Sequence, residues 1–245
     1  MHVETPNEIE EYYKDKDIVK KYISKRFTSP IYQLIHQKQV NAINKVIREI
    51  NPKKLLEIAP GPARLTAELE YENGISLDSS EEMLNIAKER MQGKPWKFIK
   101  GDAFNLKFEN ESDLILAFRF IFHFKKEKRD EIYTSINKAL KKNGFLMFDA
   151  INLKKAKKIR KIVGKDGYEV YDKLYTKKEL IEELERNNFK NIRLLKSIKR
   201  FWTQMLISKI SEKIKIQKIG MKIIKKLEKI KGGDPYEWIV ICQKK

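Results

Sequence analysis

A doubly wound α/β fold built on a mostly parallel seven-stranded sheet is what this sequence predicts, and three observations carry that reading. The first is the stretch Leu55-Leu56-Glu57-Ile58-Ala59-Pro60-Gly61-Pro62-Ala63-Arg64-Leu65-Thr66, an apolar run that breaks into a proline- and glycine-containing turn and then takes up helical spacing. Proline fixes φ and glycine admits positive φ, so the turn is tight; its small residues let a ligand approach the backbone beside the free N–H groups of a helix start. The second is the run Gly74-Ile75-Ser76-Leu77-Asp78, whose acidic end lies 21 positions after Glu57, near the spacing of a ribose-binding carboxylate after a glycine turn. The third is the alternation of short apolar runs with helical patterns from the first strand to about residue 150, which implies parallel strands joined by crossover helices.

The elements follow in order. Residues 1–50 precede the first strand and read as helices: Tyr12, Tyr13, Ile18, Val19, Tyr22 and Ile23 recur at helical spacing, Ser29-Pro30 interrupts, and Ile31, Leu34, Ile35, Val40, Ile43, Val46 and Ile47 continue. A strand at 55–59 leads to a helix at 63–70. The strand at 74–78 leads to a helix at 81–91, with Ser79 or Ser80 as cap and Glu81 and Glu82 set against its dipole. A third strand, 96–100, runs into Gly101-Asp102-Ala103, and 113–118 is a fourth, apolar after its start. The helix at 126–141 stops at Lys141-Lys142-Asn143-Gly144, and 145–150 is the fifth strand.

The second half is less regular. Residues 154–168 read as a helix fragment and a loop. Thr176 with Glu179 three positions on is a capping box for a helix that Asn188 ends. Strands at 189–197 and 235–243 complete the sheet. Between them lies an insertion, about 199–233. In it Ile216, Ile219, Ile223, Leu227 and Ile230 follow at intervals of 3, 4, 4 and 3, an amphipathic helix, and residues 207–231 hold nine lysines against Glu212 and Glu228. Two readings stand: a basic amphipathic surface for an anionic membrane or nucleic acid, or a helix packed on its own domain with its lysines in water.

Composition narrows the class. Of 245 residues, 53 are Lys or Arg and 34 Asp or Glu, a net charge of +19 that draws the chain toward phosphates, acidic membranes or acidic substrates, unless it is a lysine bias spread over the whole surface. Abundant Lys and Glu also suit a heat-adapted protein. The one cysteine, Cys242, excludes an internal disulfide and fits a cytoplasmic setting. One cysteine and three scattered histidines build no zinc cluster, so no metal is expected. The polar, acidic start carries no export signal, and no apolar run approaches the roughly 20 residues of a spanning helix, so stable membrane insertion is not expected.

With these motifs the chain resembles the class I S-adenosylmethionine-dependent methyltransferases, closely from about residue 50 to 150 and loosely in the C-terminal strands. Glu57-x-Ala59-x-Gly61-x-Ala63 is similar to that family's first motif, acidic-x-Gly-x-Gly-x-Gly, with alanine at two of the three glycines. The resemblance implies S-adenosylmethionine as cofactor and S-adenosylhomocysteine as product. It implies a cofactor site made of Glu57, Ala59, Pro60, Gly61 and Ala63; of Asp78 on the ribose hydroxyls, with Ser79 and Met83; of Gly101, Asp102, Ala103 and Phe104, Asp102 reading the adenine amino group; and of Phe118, Arg119 and Phe120 along the methionine part. It also implies a helical lid at 1–50, with Tyr12, Tyr13, Arg26, Phe27 and His36 as candidate substrate contacts, over a methyltransferase domain at 51–245. The aromatics there are equally readable as a packed helix face.

The segment Phe118-Arg119-Phe120-Ile121-Phe122-His123-Phe124 stands at the reacting end, beyond the carboxyl ends of the strands. His123 is a candidate base because imidazole titrates near neutral pH, or else a residue that packs at a helix start. Arg119 is a candidate for the cofactor carboxylate or an acidic substrate, and Asp149 a second candidate base. The function expected is methyl transfer to a small-molecule or lipid-like acceptor. RNA methylation is the alternative that the charge supports; an Asn/Asp-Pro-Pro-aromatic motif after the fourth strand is absent, and Asp234-Pro235-Tyr236 is misplaced for it. A dinucleotide-binding fold without methyl transfer, or a non-catalytic cofactor-binding protein, is the remaining reading.

Overall fold

The computed structural model describes Thr5, Glu8, Glu11, Tyr12 and residues 28–163 and 170–245. The chain runs α1 (Pro30–Ile50), β1 (Leu55–Ile58), β2 (Ile75–Asp78), α2 (Glu81–Arg90), β3 (Lys97–Lys100), β4 (Ser112–Ala117), α3 (Lys126–Ala139), β5 (Leu140–Asn152), α4 (Leu153–Val163), β6 (Leu174–Tyr175), α5 (Lys177–Arg186), β7 (Phe189–Lys199), α6 (Phe201–Lys213), α7 (Gln217–Lys229) and β8 (Pro235–Lys244). Strands order as β3-β2-β1-β4-β5-β8-β7, with β6 added beside β5. All described pairings are parallel except those of β8, which runs antiparallel to both β5 and β7. The central strands are apolar on both faces, as a sheet covered on both sides requires. Leu55, Leu114, Leu116 and Met147 pack to one side, with α1 and α2; Leu56, Ile58, Ile115, Leu146 and Phe148 pack to the other, with α3.

The direction of winding reverses between β1 and β4, so their carboxyl ends splay apart and leave a crevice. The elements that border it differ from expectation in one respect. No α-helix follows β1: residues 61–65 are turns and Thr66–Glu68 a single 3-10 turn. Positive φ at Ala59, Gly61 and Ala63 interrupts any helical run there. Ser80, rather than Ser79, caps α2 by accepting from Met83 N at 3.2 Å. The capping box at Thr176 and Glu179 is present on α5.

Elsewhere the sheet gains an eighth strand, β6, whose two residues are too short to leave a periodic signal. At the end of α3 the chain passes straight into β5 at Leu140; Asn143, with φ 62°, sits within that strand instead of stopping the helix. The Ser29-Pro30 break is the start of α1, with proline in its first turn. Of residues 1–27, Tyr13, Arg26 and Phe27 lie outside the described residues. The insertion is two helices, not one, and its isoleucine stripe is not the packed face. Gly220, Ile224 and Glu228 are the buried positions of α7. A Cβ at Gly220 would stand 2.3 Å from Ser211 Oγ, so this glycine is where α6 and α7 meet. Ile31, Leu34 and Ile35 of α1 pack with Ile198 and Ile224 to hold the pair on the domain. No helix among the described residues is long and apolar enough to cross a membrane.

A buried ion pair fixes the segment after β4. Arg129 of α3 donates to both oxygens of Glu183 on α5, at 2.9 and 2.5 Å, and to the carbonyl of Phe124 at 2.8 Å. Tyr175 of β6 donates to the same carboxylate at 2.7 Å. Removing one member strands the other in an apolar interior, which typically costs about 3–5 kcal/mol. We therefore expect Glu183→Ala to lower the denaturant midpoint by that order at an unchanged slope. The paired substitution Arg129→Met with Glu183→Leu should recover most of the loss. Equilibrium denaturation of the three variants checks both outcomes.

Candidate active site

The crevice between β1 and β4 holds a cavity of about 710 Å³, within the range of small-molecule and cofactor sites. One side is the turn after β1. Ala59, Gly61 and Ala63 are in the left-handed region, at φ 51°, 55° and 54°. Ala59 N donates to Leu77 O at 2.8 Å and Gly61 N to Asp78 Oδ2 at 3.2 Å, which ties the turn to the end of β2. Ser80 N donates to the other Asp78 oxygen at 3.0 Å. Alternating left-handed residues turn successive N–H groups toward one concavity.

Beneath the turn is a polar chain. Trp96 Nε1 donates to Ser76 Oγ at 2.9 Å, Ser76 donates to Glu57 Oε2 at 3.1 Å, and Thr66 donates to the same oxygen at 2.5 Å. Glu57 is buried, and that burial pushes its carboxyl up to about 7, against the two hydroxyl bonds that favour its charged form. The β3 end supplies Asp102, which caps a 3-10 turn by accepting from Phe104 N at 2.8 Å. Gly101 is required by packing: a Cβ there would meet Leu77 Cδ1 at 2.6 Å.

The β4 side begins with Arg119, again left-handed at φ 57°. Its N–H donates to Asp149 Oδ1 at 2.6 Å, its Nη1 lies 3.3 Å from Asp149 Oδ2 and 3.4 Å from Glu237 Oε2, and its guanidinium covers the Phe122 ring at 4.6 Å. Phe104, Phe120 and Phe124 form an edge-to-face aromatic wall, with Phe124 centroids 5.3 Å from Phe104 and 5.0 Å from Phe120. His123 closes the wall. Its Nδ1 is 3.0 Å from Asp172 Oδ1 and 3.0 Å from Tyr171 O, and Arg160 pairs with the other Asp172 oxygen at 2.5 Å. Burial pushes the Asp172 carboxyl up, but the hydrogen bond with His123 and the nearby Arg119 and Arg160 guanidinium groups hold it below its ordinary value.

Most residues expected at the site meet at this cavity: Glu57, Ala59, Pro60, Gly61, Asp78, Ser79, Met83, Gly101, Asp102, Ala103, Phe104, Phe118, Arg119, Phe120 and His123. Four described ones do not. Ala63 is fully buried in the core behind the turn. Asp149 has both oxygens engaged by Arg119 and is buried, so it positions the arginine instead of facing a ligand. His36 lies behind the turn, with Nε2 2.6 Å from Glu68 Oε1 and Nδ1 2.7 Å from Arg64 Nη1; burial lowers its pKa. Tyr12 is half-buried and packs against the core cluster. Tyr13 and Phe27 are outside the described residues. Residues not anticipated include Thr5, Arg64, Lys128 and Glu131 on the wall, and Asp172 and Glu237 as partners of wall residues. Asp172 stands two residues before the two-residue strand β6, which carries no sequence signal.

Residues 56–148 match the family model described as a methyltransferase domain. No curated protein sequence matches the chain. Among solved structures, the fold is similar to magnesium protoporphyrin IX methyltransferase from Synechocystis PCC 6803 with bound S-adenosylhomocysteine, at 14% identity and TM-score 0.69, over 98% of this chain and 100% of that one. It is similar to a SAM-dependent methyltransferase from Archaeoglobus fulgidus, at 15% identity and TM-score 0.59, over 91% and 99%. It is also similar to a Thermotoga maritima SAM-dependent methyltransferase described as a possible histamine N-methyltransferase, at 16% identity and TM-score 0.59, over 96% and 99%. At these identities the likeness is one of fold.

Glu57 makes stability depend on pH. A carboxyl at about 7 in the folded chain and 4.5 in the unfolded one binds more protons when folded between those values. Stability is therefore highest below the unfolded value and falls as pH rises through that window, by on the order of 3 kcal/mol. Glu57→Gln should flatten this part of the profile relative to wild type, as read by denaturant unfolding at a series of pH values.

Proposed function

We propose that the chain is a class I S-adenosylmethionine-dependent methyltransferase, a reading supported by the methyltransferase-domain match over residues 56–148 and the likeness of fold, and that the methyl group passes to a proton-bearing oxygen or nitrogen of a small or lipid-like, partly apolar acceptor. The observation that carries this reading is His123 on the cavity wall with its Nδ1 held by Asp172 and the Tyr171 carbonyl.

The residues present fit the cofactor. At Gly61 an added Cβ would meet no atom within 4 Å, so the wall is open where a ligand would lie against the turn. Asp78, anchored by two backbone N–H groups, offers the carboxylate for ribose hydroxyls, and Asp102 with the Ala103–Phe104 backbone borders the adenine end. Arg119, held by Asp149 and Glu237, stands at the methionine end, its positive charge suited to a carboxylate. When bound, the cofactor supplies a methyl group already activated by its sulfonium. The rest falls to the chain. Phe104, Phe120 and Phe124 exclude water and orient an apolar acceptor. His123 donates Nδ1–H toward Asp172 and Tyr171 O, which leaves Nε2 as the ring's acceptor for the proton that the nucleophile releases. Asp172 keeps the imidazole in that tautomer. Thr5 lines the cavity, whereas α1 of the expected 1–50 lid packs on the sheet instead of over the site. A magnesium porphyrin and histamine are very different acceptors, so likeness to those two folds does not select between them. The free, buried Cys242 suits a cytoplasmic setting.

Calorimetry with S-adenosylhomocysteine should give binding to wild type, and Asp78→Ala should weaken it by roughly 10–100-fold, the loss of a charge-assisted pair of bonds. Absence of wild-type binding at millimolar concentration would sink the assignment. Turnover should be screened with phenols, carboxylic acids and amines, read by release of S-adenosylhomocysteine. On the best acceptor, His123→Ala should lose roughly 10²–10⁴-fold in kcat and the acidic limb of the pH–rate profile, at near-normal cofactor affinity. Asp172→Asn should reproduce the direction with a smaller loss, at least about tenfold. A His123→Ala rate within a few-fold of wild type would leave positioning alone as the chain's contribution.

A further inference from the structure

The hairpin of α6 and α7 packs on the domain by one face and leaves two apolar stripes in the open. On α6, Trp202, Leu206, Ile210 and Ile214 follow every fourth residue and are 40%, 48%, 50% and 57% exposed. On α7 and its ends, Ile216, Ile219, Ile223 and Ile230 are 38%, 51%, 43% and 48% exposed. The stripes meet at the turn at 214–216, where Lys215 stands between Ile214 and Ile216. Isolated apolar side chains are ordinary on a protein surface; a continuous run of eight marks a place where something binds.

The charge beside these stripes is of one sign. All nine lysines between 207 and 231 are exposed, and Lys218, Lys222, Lys225 and Lys229 form their own stripe along α7. The two acids are engaged within the chain. Glu212 Oε1 accepts from Ser29 at 2.7 Å and Ser208 at 2.8 Å; Glu228 accepts from Lys38, Gln204 and the Lys199 N–H. Nothing acidic on the hairpin offsets the lysines.

Three occupants can be weighed by chemistry. RNA neutralises lysines but takes little from aliphatic side chains, because its bases stack on aromatics, and Trp202 is the exposed aromatic of the hairpin. A second copy would cover the isoleucines but, in a two-fold arrangement, would set nine lysines against nine. A bilayer surface rich in anionic phospholipid meets both features, with isoleucines at the acyl boundary and lysines among the headgroups. We infer that the α6–α7 hairpin docks the protein on anionic phospholipid membranes, lying on the surface without spanning it. The hairpin joins β8 just before Glu237, whose carboxylate faces Arg119 of the cavity wall, so the docking surface rises from the rim of the sheet that bears the site. The inference rests on this surface and not on methyl transfer.

The test is flotation of the full chain with phosphatidylcholine vesicles and with vesicles about one-third phosphatidylglycerol. Binding to the anionic vesicles alone, lost as salt rises from about 0.05 to 0.5 M, is expected. Replacing Lys218, Lys222, Lys225 and Lys229 by Gln should weaken it on the order of 10²–10³-fold. Replacing Ile214, Ile219 and Ile223 by Ser should also remove binding. The anionic vesicles should shift tryptophan emission to the blue in wild type and not in Trp202→Phe. Cooperative melting shows which variants fold; if the isoleucine variant does not, the lysine variant and the Trp202 signal decide. No flotation at low salt, or unchanged flotation of a folded lysine variant, overturns the inference. So does a wild-type dimer that the isoleucine variant abolishes, or RNA binding that needs only the lysines, when either occurs without vesicle binding. Calorimetry with S-adenosylhomocysteine in the same variants should match wild type, which separates failure here from failure of the methyltransferase reading.

Discussion

The hydrogen bond from Gly61 N to Asp78 holds the site together because it joins the turn after β1 to the carboxyl end of β2. The turn needs such a restraint. Three alternate residues are left-handed there, and two of them, Ala59 and Ala63, carry the Cβ that makes this region unfavourable by about 1–2 kcal/mol each. Across the crevice Arg119 is left-handed too. Its N–H bond to Asp149 does for β4 what Asp78 does for β1. Strained backbone therefore stands on both sides of the switch point and is held by a carboxylate on each.

Legibility followed the length of each pattern. The sheet could be read because its strands are buried on both faces and its helices alternate with them. Leu114, Ile115 and Leu116 leave no doubt about β4, and Asp78 could be placed because a strand end and a spacing both point to it. The expected helix at 63–70 failed for a local reason: a positive φ at Ala63 is invisible where the sequence shows alanine, a good helix former. Asp172 could not be found, since its place beside His123 depends on β6, which is held laterally by β5 and by Tyr175 on Glu183. Asp149 reads as a candidate base, but it lies within β5, which runs on to Asn152, and both its oxygens are engaged by Arg119, because sequence shows that a carboxylate is near and not what already binds it.

The insertion shows the same limit at larger scale. Periodicity identified an amphipathic helix and the isoleucines as its apolar side. It could not show that the helix has a third, buried line. Gly220, Ile224 and Glu228 follow every fourth residue, yet only one of them is large and apolar, so a hydrophobicity pattern passes over them. The close approach at Gly220 and Ser211, and the bonds that Glu228 accepts, make that line the packed one. The isoleucine stripe is then left exposed to solvent.

The anchoring of His123 and of Arg119 differs in a way that bears on mechanism. Arg119 is held by Asp149 and Glu237, both buried on central strands β5 and β8, so its place is set by the sheet itself. His123 is held by Asp172, which follows residues 164–169 in the chain and reaches the site through the edge of a two-residue strand. Lys173 N donates to Phe122 O at 2.7 Å, and Arg160 to Asp172, so His123 and Asp172 are tied to α4 and the chain before β6 and not to the core strands. On the proposed mechanism, the cofactor-binding half of the site is thus built on the most deeply buried strands, while the proton-accepting half sits on peripheral elements. An arrangement of that kind lets the acceptor side vary while the cofactor side stays fixed, because a change in the 160–175 segment moves His123 without disturbing the bond between Gly61 and Asp78.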